Sequence, residues 1–92
     1  MPWDNRVGYR FKLRDLDILM AVVQSGSMGK AAQRLNLFQP AVSKSIADLE
    51  QALGVRLLDR SRRGVEPTQY GLALARRGAA AFDELKRGGS RN

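Results

Sequence analysis

Cysteine and histidine are both missing from the sequence, and their absence removes several functional classes at once. Disulfide scaffolds, zinc sites with Cys and His ligands, thiol chemistry and Ser-His or Cys-His catalysis all need these side chains. No paired carboxylates or activated nucleophile form a recognisable catalytic set either. We therefore predict that the protein is not an enzyme and has no metal and no cofactor.

Long hydrophobic segments are missing as well. The longest unbroken apolar run extends from Ile18 to Val23, far short of the roughly 20 residues that a membrane-spanning helix needs. Residues 1–12 contain no apolar stretch typical of a signal peptide. We expect a soluble, cytoplasmic protein with no membrane partner. With 92 residues, one small domain is the expected organisation.

Acidic residues are few, since 9 Asp and Glu stand against 16 Lys and Arg, for a formal net charge of +7. Hydrophobic residues make up 43% of the chain, which is enough to build a folded core. A folded and strongly basic domain of this size indicates a polyanionic partner. Nucleic acid is the first candidate and an anionic membrane surface is the second.

Apolar residues recur at the spacing of helices from residue 13 onward. Residues 1–12 show no period, and we predict a flexible N-terminal arm there. Ser27 follows the first helix as the N-cap of a short second helix, which ends at Asn36 in a tight turn. A third helix begins at Gln39 and ends before Gly54.

The pattern changes after the third helix. Short apolar segments flank a basic turn at 61–64, which predicts a two-stranded β-wing. A last helix, capped by Thr68, is predicted from Gln69 to about Arg87, and residues 88–92 are predicted to be a tail. This helix carries two neighbouring apolar lines, which is more than one small core can cover.

The order of these elements is that of a helix-turn-helix followed by a wing, in which the second helix of the pair enters the DNA major groove. The outer face of the third helix carries suitable side chains. Gln39 can bond adenine bidentately, Ser43 can bond a base or a phosphate, and Lys44 can reach guanine or a phosphate. The arginines of the predicted wing turn are suited to phosphate or minor-groove contacts.

Several spaced blocks of the sequence match one family in order. They are SGSMGKAAQRL from Ser25 to Leu35, QPAVS from Gln39 to Ser43, LExxLGVRLLxR from Leu49 to Arg60, and PTxxG from Pro67 to Gly71. From about residue 13 to residue 87, the chain resembles the N-terminal DNA-binding domain of LysR-type transcriptional regulators.

The resemblance implies a mainly α fold. A winged helix-turn-helix at residues 13–67, with a three-helix core and a small two-stranded β-wing, is followed by a long linker and dimerisation helix at 68–87. It also implies sequence-specific binding of double-stranded DNA by a homodimer on an interrupted palindromic promoter site of a bacterium. A small-molecule effector would act only through a domain absent from this chain, and an excised fragment and a stand-alone module both stay open.

Two sets of site residues follow from the resemblance and from the surplus apolar face of the last helix. The predicted DNA contacts are Ser27, Lys30, Gln39, Pro40, Ser43, Lys44, Arg60, Ser61, Arg62 and Arg63. The predicted dimer contacts are Leu72, Leu74, Ala75, Gly78, Ala81, Phe82 and Leu85.

One position departs from the family pattern. Phe38 precedes Gln39 where the family usually has a serine or threonine that caps the helix, and losing that cap costs about 1 kcal/mol. Phe38 either packs against the first helix or meets a thymine methyl group. We expect packing, because aromatic residues in the tight turns of small domains are usually part of the core.

The alternative function is a basic helical protein-interaction module without base specificity. Such a module would bind an acidic protein or an anionic membrane through its charge alone. The outer face of the third helix argues against it, because that face is polar and hydrogen-bonding and not a continuous cationic stripe.

Overall fold

The computed structural model describes residues 13–89, which form four helices and one two-stranded sheet. The elements are α1 (Leu13–Ser25), α2 (Met28–Leu35), α3 (Gln39–Leu53), β1 (Leu58–Ser61), β2 (Gly64–Pro67) and α4 (Gln69–Gly89). The predicted order and the mainly α winged helix-turn-helix fold are confirmed. The predicted arm at 1–12 and the end of the predicted tail, 90–92, lie outside the described residues. Within the described range, no helix is both long and apolar enough to cross a membrane.

A capping serine begins α2, and left-handed residues end both α2 and α3. Ser27 Oγ accepts the backbone N–H of Lys30 at 3.2 Å, so the predicted N-cap is confirmed. Asn36 ends α2 in the left-handed conformation, with φ 59°. Gly54 ends α3 at φ 72°, where its N–H donates to the carbonyl of Glu50 at 2.8 Å. These local features fix the direction of the chain as it enters α2 and as it continues beyond α2 and α3.

The core is built around α1, which packs against α2, α3 and α4. Its largest fully buried side chains come from α1, α3 and the residue just before β1. They are Val22, Leu19, Val42, Leu49 and Leu57. Because α1 contacts every other helix, it holds α2 and α3 at a fixed angle to each other.

A buried polar pair crosses this core between α1 and α3. The Ser45 hydroxyl donates to Asp15 Oδ1 at 2.6 Å, and both side chains are buried. In the part of the chain that the structure describes, no buried side-chain polar atom lacks a hydrogen-bond partner. The pair therefore fixes the position of α3 along α1 without an unsatisfied buried charge.

The wing is an antiparallel pair in which Leu58 lies opposite Pro67 and Ser61 lies opposite Gly64. This register leaves Arg62 and Arg63 as the turn at its tip. The Glu50 carboxylate on α3 accepts the backbone N–H groups that lead into β1, those of Leu57 at 2.8 Å and Leu58 at 3.3 Å. The wing is thus attached directly to the end of α3.

One side of α4 belongs to the core of this same domain. Ala75 is buried, Leu74 packs against the core, and a Cβ at Gly78 would lie 3.0 Å from the Leu16 side chain on α1. Ala75 and Gly78 are thus covered by their own domain and Leu74 is partly covered, which leaves little of these three residues for the predicted contact with a second subunit. The helix also continues to Gly89, past its predicted end.

Candidate nucleic-acid interface

The first turn of α3 projects its side chains into solvent. Gln39, Pro40 and Ala41 are all exposed, and the proline occupies the first turn, where its missing N–H removes no helical hydrogen bond. The N–H groups at this end have no partner within the helix, and they give it a partial positive charge. Two predicted contacts, Gln39 and Pro40, therefore lie at a helix end that attracts anions.

Phe38 is the N-cap of α3 and points away from the core. Its side chain is 85% exposed and forms no capping hydrogen bond. The predicted packing against the first helix is wrong, because its neighbour Leu37 packs against the core instead. In an extended segment successive side chains point to opposite sides, so only one of the two can face inward.

The predicted contact face continues along α3 on the side away from the core. Ser43 is half-buried and Lys44 is exposed, whereas Val42 and Ile46 are buried beneath them. The apolar and polar residues thus separate onto two faces at helical spacing.

Lys44 has a partner in the free domain. Its Nζ donates to Asp48 Oδ2 at 3.0 Å, one helical turn further along, and the two side chains are 76% and 42% exposed. An exposed pair of this kind contributes only about 0–1 kcal/mol. A phosphate or a base can therefore replace Asp48 as the partner of Lys44.

The start of α2 lies next to the start of α3. A Cβ at Gly29 would lie 3.5 Å from Gln39 Oε1 and 3.7 Å from Ser27 Oγ. These are ordinary van der Waals distances, so the Gln39 side chain lies directly over the first turn of α2. Ser27 and Gln39, which are a whole helix apart in sequence, consequently share one surface, and the exposed Lys30 follows Ser27 by one turn.

The wing packs against the turn that precedes Ser27. The backbone N–H of Val65 donates to the carbonyl of Gly26 at 3.3 Å. Gly64 has φ 132°, and a Cβ there would lie 2.6 Å from the same oxygen, so a side chain does not fit. Ser27 therefore directly follows the residue that contacts the wing, and it lies on the same surface as Gln39.

The tip of the wing is strongly cationic. Arg60, Ser61, Arg62 and Arg63 are all exposed, and Ser61 Oγ accepts the backbone N–H of Arg63 at 3.3 Å. Across residues 13–89, none of these three arginines forms an ion pair with a carboxylate. Their positive charge is available to an anionic ligand.

Sequence reasoning missed the residues that hold this surface together. Glu50 binds the start of the wing, and Arg34 Nη1 donates to Gln24 Oε1 at 2.7 Å, which joins the ends of α2 and α1. A carboxylate in the last turn of a helix is unfavourable unless donors hold it, and this was the available signal for Glu50. The sequence contains no comparable signal for the Arg34–Gln24 contact.

The helices α2 and α3 are joined by a tight turn, the outer face of α3 is exposed, and a basic two-stranded wing follows. These features define a winged helix-turn-helix domain. The model of the family described as bacterial regulatory helix-turn-helix protein, lysR family, matches residues 13–72. The chain belongs to this family, and the resemblance seen in the sequence is confirmed.

Proteins similar in sequence are described as HTH-type transcriptional regulators. YdcI of Escherichia coli (strain K12), described as an uncharacterized HTH-type transcriptional regulator, is 40% identical over 80 residues, which is 87% of this chain and 26% of that protein. The regulator PcaQ of Agrobacterium fabrum is 39% identical over 80 residues, again 87% of this chain and 26% of the relative. The chain thus spans about a quarter of the length of these relatives.

Solved structures are similar over the same part of the chain. The crystal structure of the CbnR DBD–DNA complex has a TM-score of 0.82 and 37% identity, covering 88% of this chain and 93% of that one. The BenM DBD with catB site 1 DNA has a TM-score of 0.83 and 33% identity, covering 88% and 90%. Both are described as complexes with DNA.

Proposed function

We propose that the chain is the sequence-specific, double-stranded DNA-binding domain of a bacterial transcription regulator. The observation that carries the proposal is one continuous surface, on which the wing packs against Gly26, Ser27 follows, and Gln39 lies beside Gly29. In the proposed complex α3 enters the major groove and the wing lies along the backbone. The similar CbnR and BenM domains, which were solved with DNA, support this arrangement.

Each residue of the proposed surface has a chemistry suited to its place. In the proposed complex Gln39, in the first turn of α3, bonds adenine, and Ser43 and Lys44, one turn later, bond a base or a phosphate. Ser27 and Lys30, at the start of α2, bind a phosphate in the same proposed complex. The arginines of the wing neutralise further phosphates or enter the minor groove.

We also propose that two chains associate through α4. Leu72 and Ala81 are exposed on this helix, and Leu85 is 60% exposed near its end. The Phe82 side chain, which belongs to the same predicted set, lies outside the described part of the chain. A two-fold dimer would present two α3 helices to the two halves of a palindromic site.

The domain is proposed to act by binding and not by catalysis, and to do so in the cytoplasm, where bacterial DNA lies. The lack of cysteine and histidine supports binding alone, as does membership of a family of regulators.

The test is a titration of labelled DNA duplexes, selected from a random-sequence pool, at several salt concentrations. We expect log K to fall linearly with log[salt], by about 0.9 per neutralised phosphate. The selected duplex should bind at least about 1,000-fold tighter than a scrambled one. Salt-independent binding, or equal affinity for both duplexes, would contradict the proposal.

A further inference from the structure

Apolar side chains form the outermost part of the surface at the start of α3. Phe38 is 85% exposed, and Pro40 and Ala41 beside it are exposed as well. Gln39, the proposed reader of a base, lies within this group. In the proposed complex this end of α3 enters the DNA first. Its apolar side chains would then need an apolar group of the DNA as their contact.

The backbone at Phe38 is held from both sides. The N–H of Leu37 donates to the carbonyl of Ala32 at 2.8 Å, and the carbonyl of Phe38 accepts the N–H groups of Ala41 at 3.0 Å and Val42 at 3.3 Å. The ring therefore projects from a fixed point, and only its two side-chain torsions remain to be fixed when a ligand binds. A rigid anchor loses little conformational entropy on binding.

The chemistry of the groove decides what this ring contacts. Phenylalanine has no donor for a phosphate, and bases stacked within a duplex offer their edges and not their faces. The C5 methyl group of thymine is the apolar group that base edges present in the major groove. Resting on the proposed function, we propose that Phe38 contacts a thymine methyl group next to the base pair read by Gln39, and thereby selects thymine there.

The experiment compares thymine with deoxyuridine, which lacks only the methyl group. Duplexes are first selected from a random pool by the 92-residue chain, and each thymine of the selected half-site is then replaced in turn by deoxyuridine. For one thymine we expect the replacement to weaken binding by about fourfold, the effect of one buried methyl group. Phe38→Ala should bind the two duplexes equally.

Two further variants serve as controls. Phe38→Ser supplies a capping hydroxyl and should also lose the thymine preference, so that a weakened helix start does not account for the result. Tyr70→Ala removes another exposed aromatic ring, one in the first turn of α4, and should keep the preference. Circular dichroism checks that each variant is folded.

The proposal is overturned if no thymine shows the effect, or if Phe38→Ala retains it in full. If deoxyuridine weakens binding equally for the unchanged protein and for Phe38→Ala, the methyl group acts through the DNA or through another side chain. In either case selected duplexes would still bind with the expected salt dependence, and the proposed function would stand. Failure of the proposed function would instead appear as the lack of any preferred duplex, and it would remove this inference too.

Discussion

Phe38 leaves the first turn of α3 without a side-chain cap, because its ring has no acceptor for the free N–H groups. The exposed ring contributes little packing to the folded domain. Phe38→Ser should therefore raise the free energy of unfolding by about 1 kcal/mol relative to Phe38→Ala, since only serine accepts a capping hydrogen bond. Urea denaturation of the two variants measures the difference, and equal midpoints would show that α3 gains nothing from a cap.

Ser45 and Asp15 form the buried polar link between α1 and α3. Ser45→Ala removes the donor and leaves a buried carboxylate oxygen without this partner, which should lower the free energy of unfolding by about 1–3 kcal/mol. Ser43→Ala is the matched control, because it makes the same change in helix propensity on the same helix outside the buried pair. Thermal denaturation of both proteins gives the difference, and similar melting temperatures would contradict the assigned role of the pair.

The helices and the wing could be predicted from the sequence because their signals are local. Ser27, Asn36 and Gly54 mark helix ends by their own hydrogen bonds and backbone conformations. The inward residue in the turn before α3 could not be predicted, because Leu37 and Phe38 are adjacent and both apolar. Only the packing of α2 against α3 decides between them, and that packing depends on residues far apart in sequence.

The same limit applies to α4, where two apolar lines fit the helical period equally well. The position of α1 brings residues of both lines to the core, Leu74 and Gly78 from one line and Ala75 from the other. Among the contacts proposed for DNA, residue types could be predicted one by one. Their arrangement on one surface could not be predicted, because it depends on the Val65–Gly26 hydrogen bond and on the packing of Gln39 beside Gly29.

The two faces of α4 should respond differently to a buried charge. Leu74→Asp places a carboxylate against the domain core and should lower the free energy of unfolding by about 2 kcal/mol or more. Leu85→Asp changes an exposed position, so it should keep the circular dichroism spectrum and reduce the dimer fraction in sedimentation at micromolar concentration. A dimer that withstands Leu85→Asp would place the contact between subunits elsewhere.

Positive charge is concentrated on the proposed DNA-binding surface and is not spread evenly over the molecule. Residues 27–64, which include α2, α3 and the tip of the wing, hold seven basic residues and three acidic ones. Two of the acidic residues, Asp48 and Glu50, are engaged by Lys44 and by the backbone of the wing. The field of the domain therefore orients it so that α3 and the wing approach a polyanion first.

Gln39 and Arg62 should affect binding in different ways, because one is proposed to read a base and the other a phosphate. Gln39→Ala should reduce the preference for one base pair by about 1–3 kcal/mol and leave the salt slope unchanged. Arg62→Ala should weaken binding to selected and scrambled duplexes alike and reduce the slope of log K against log[salt] by about 0.9, the effect of one phosphate contact. Lys86→Ala, in the last turn of α4, removes the same charge away from the surface and should change neither quantity. If Arg62 instead enters a minor groove, its loss will alter base preference, and the division between α3 as reader and the wing as anchor will be wrong.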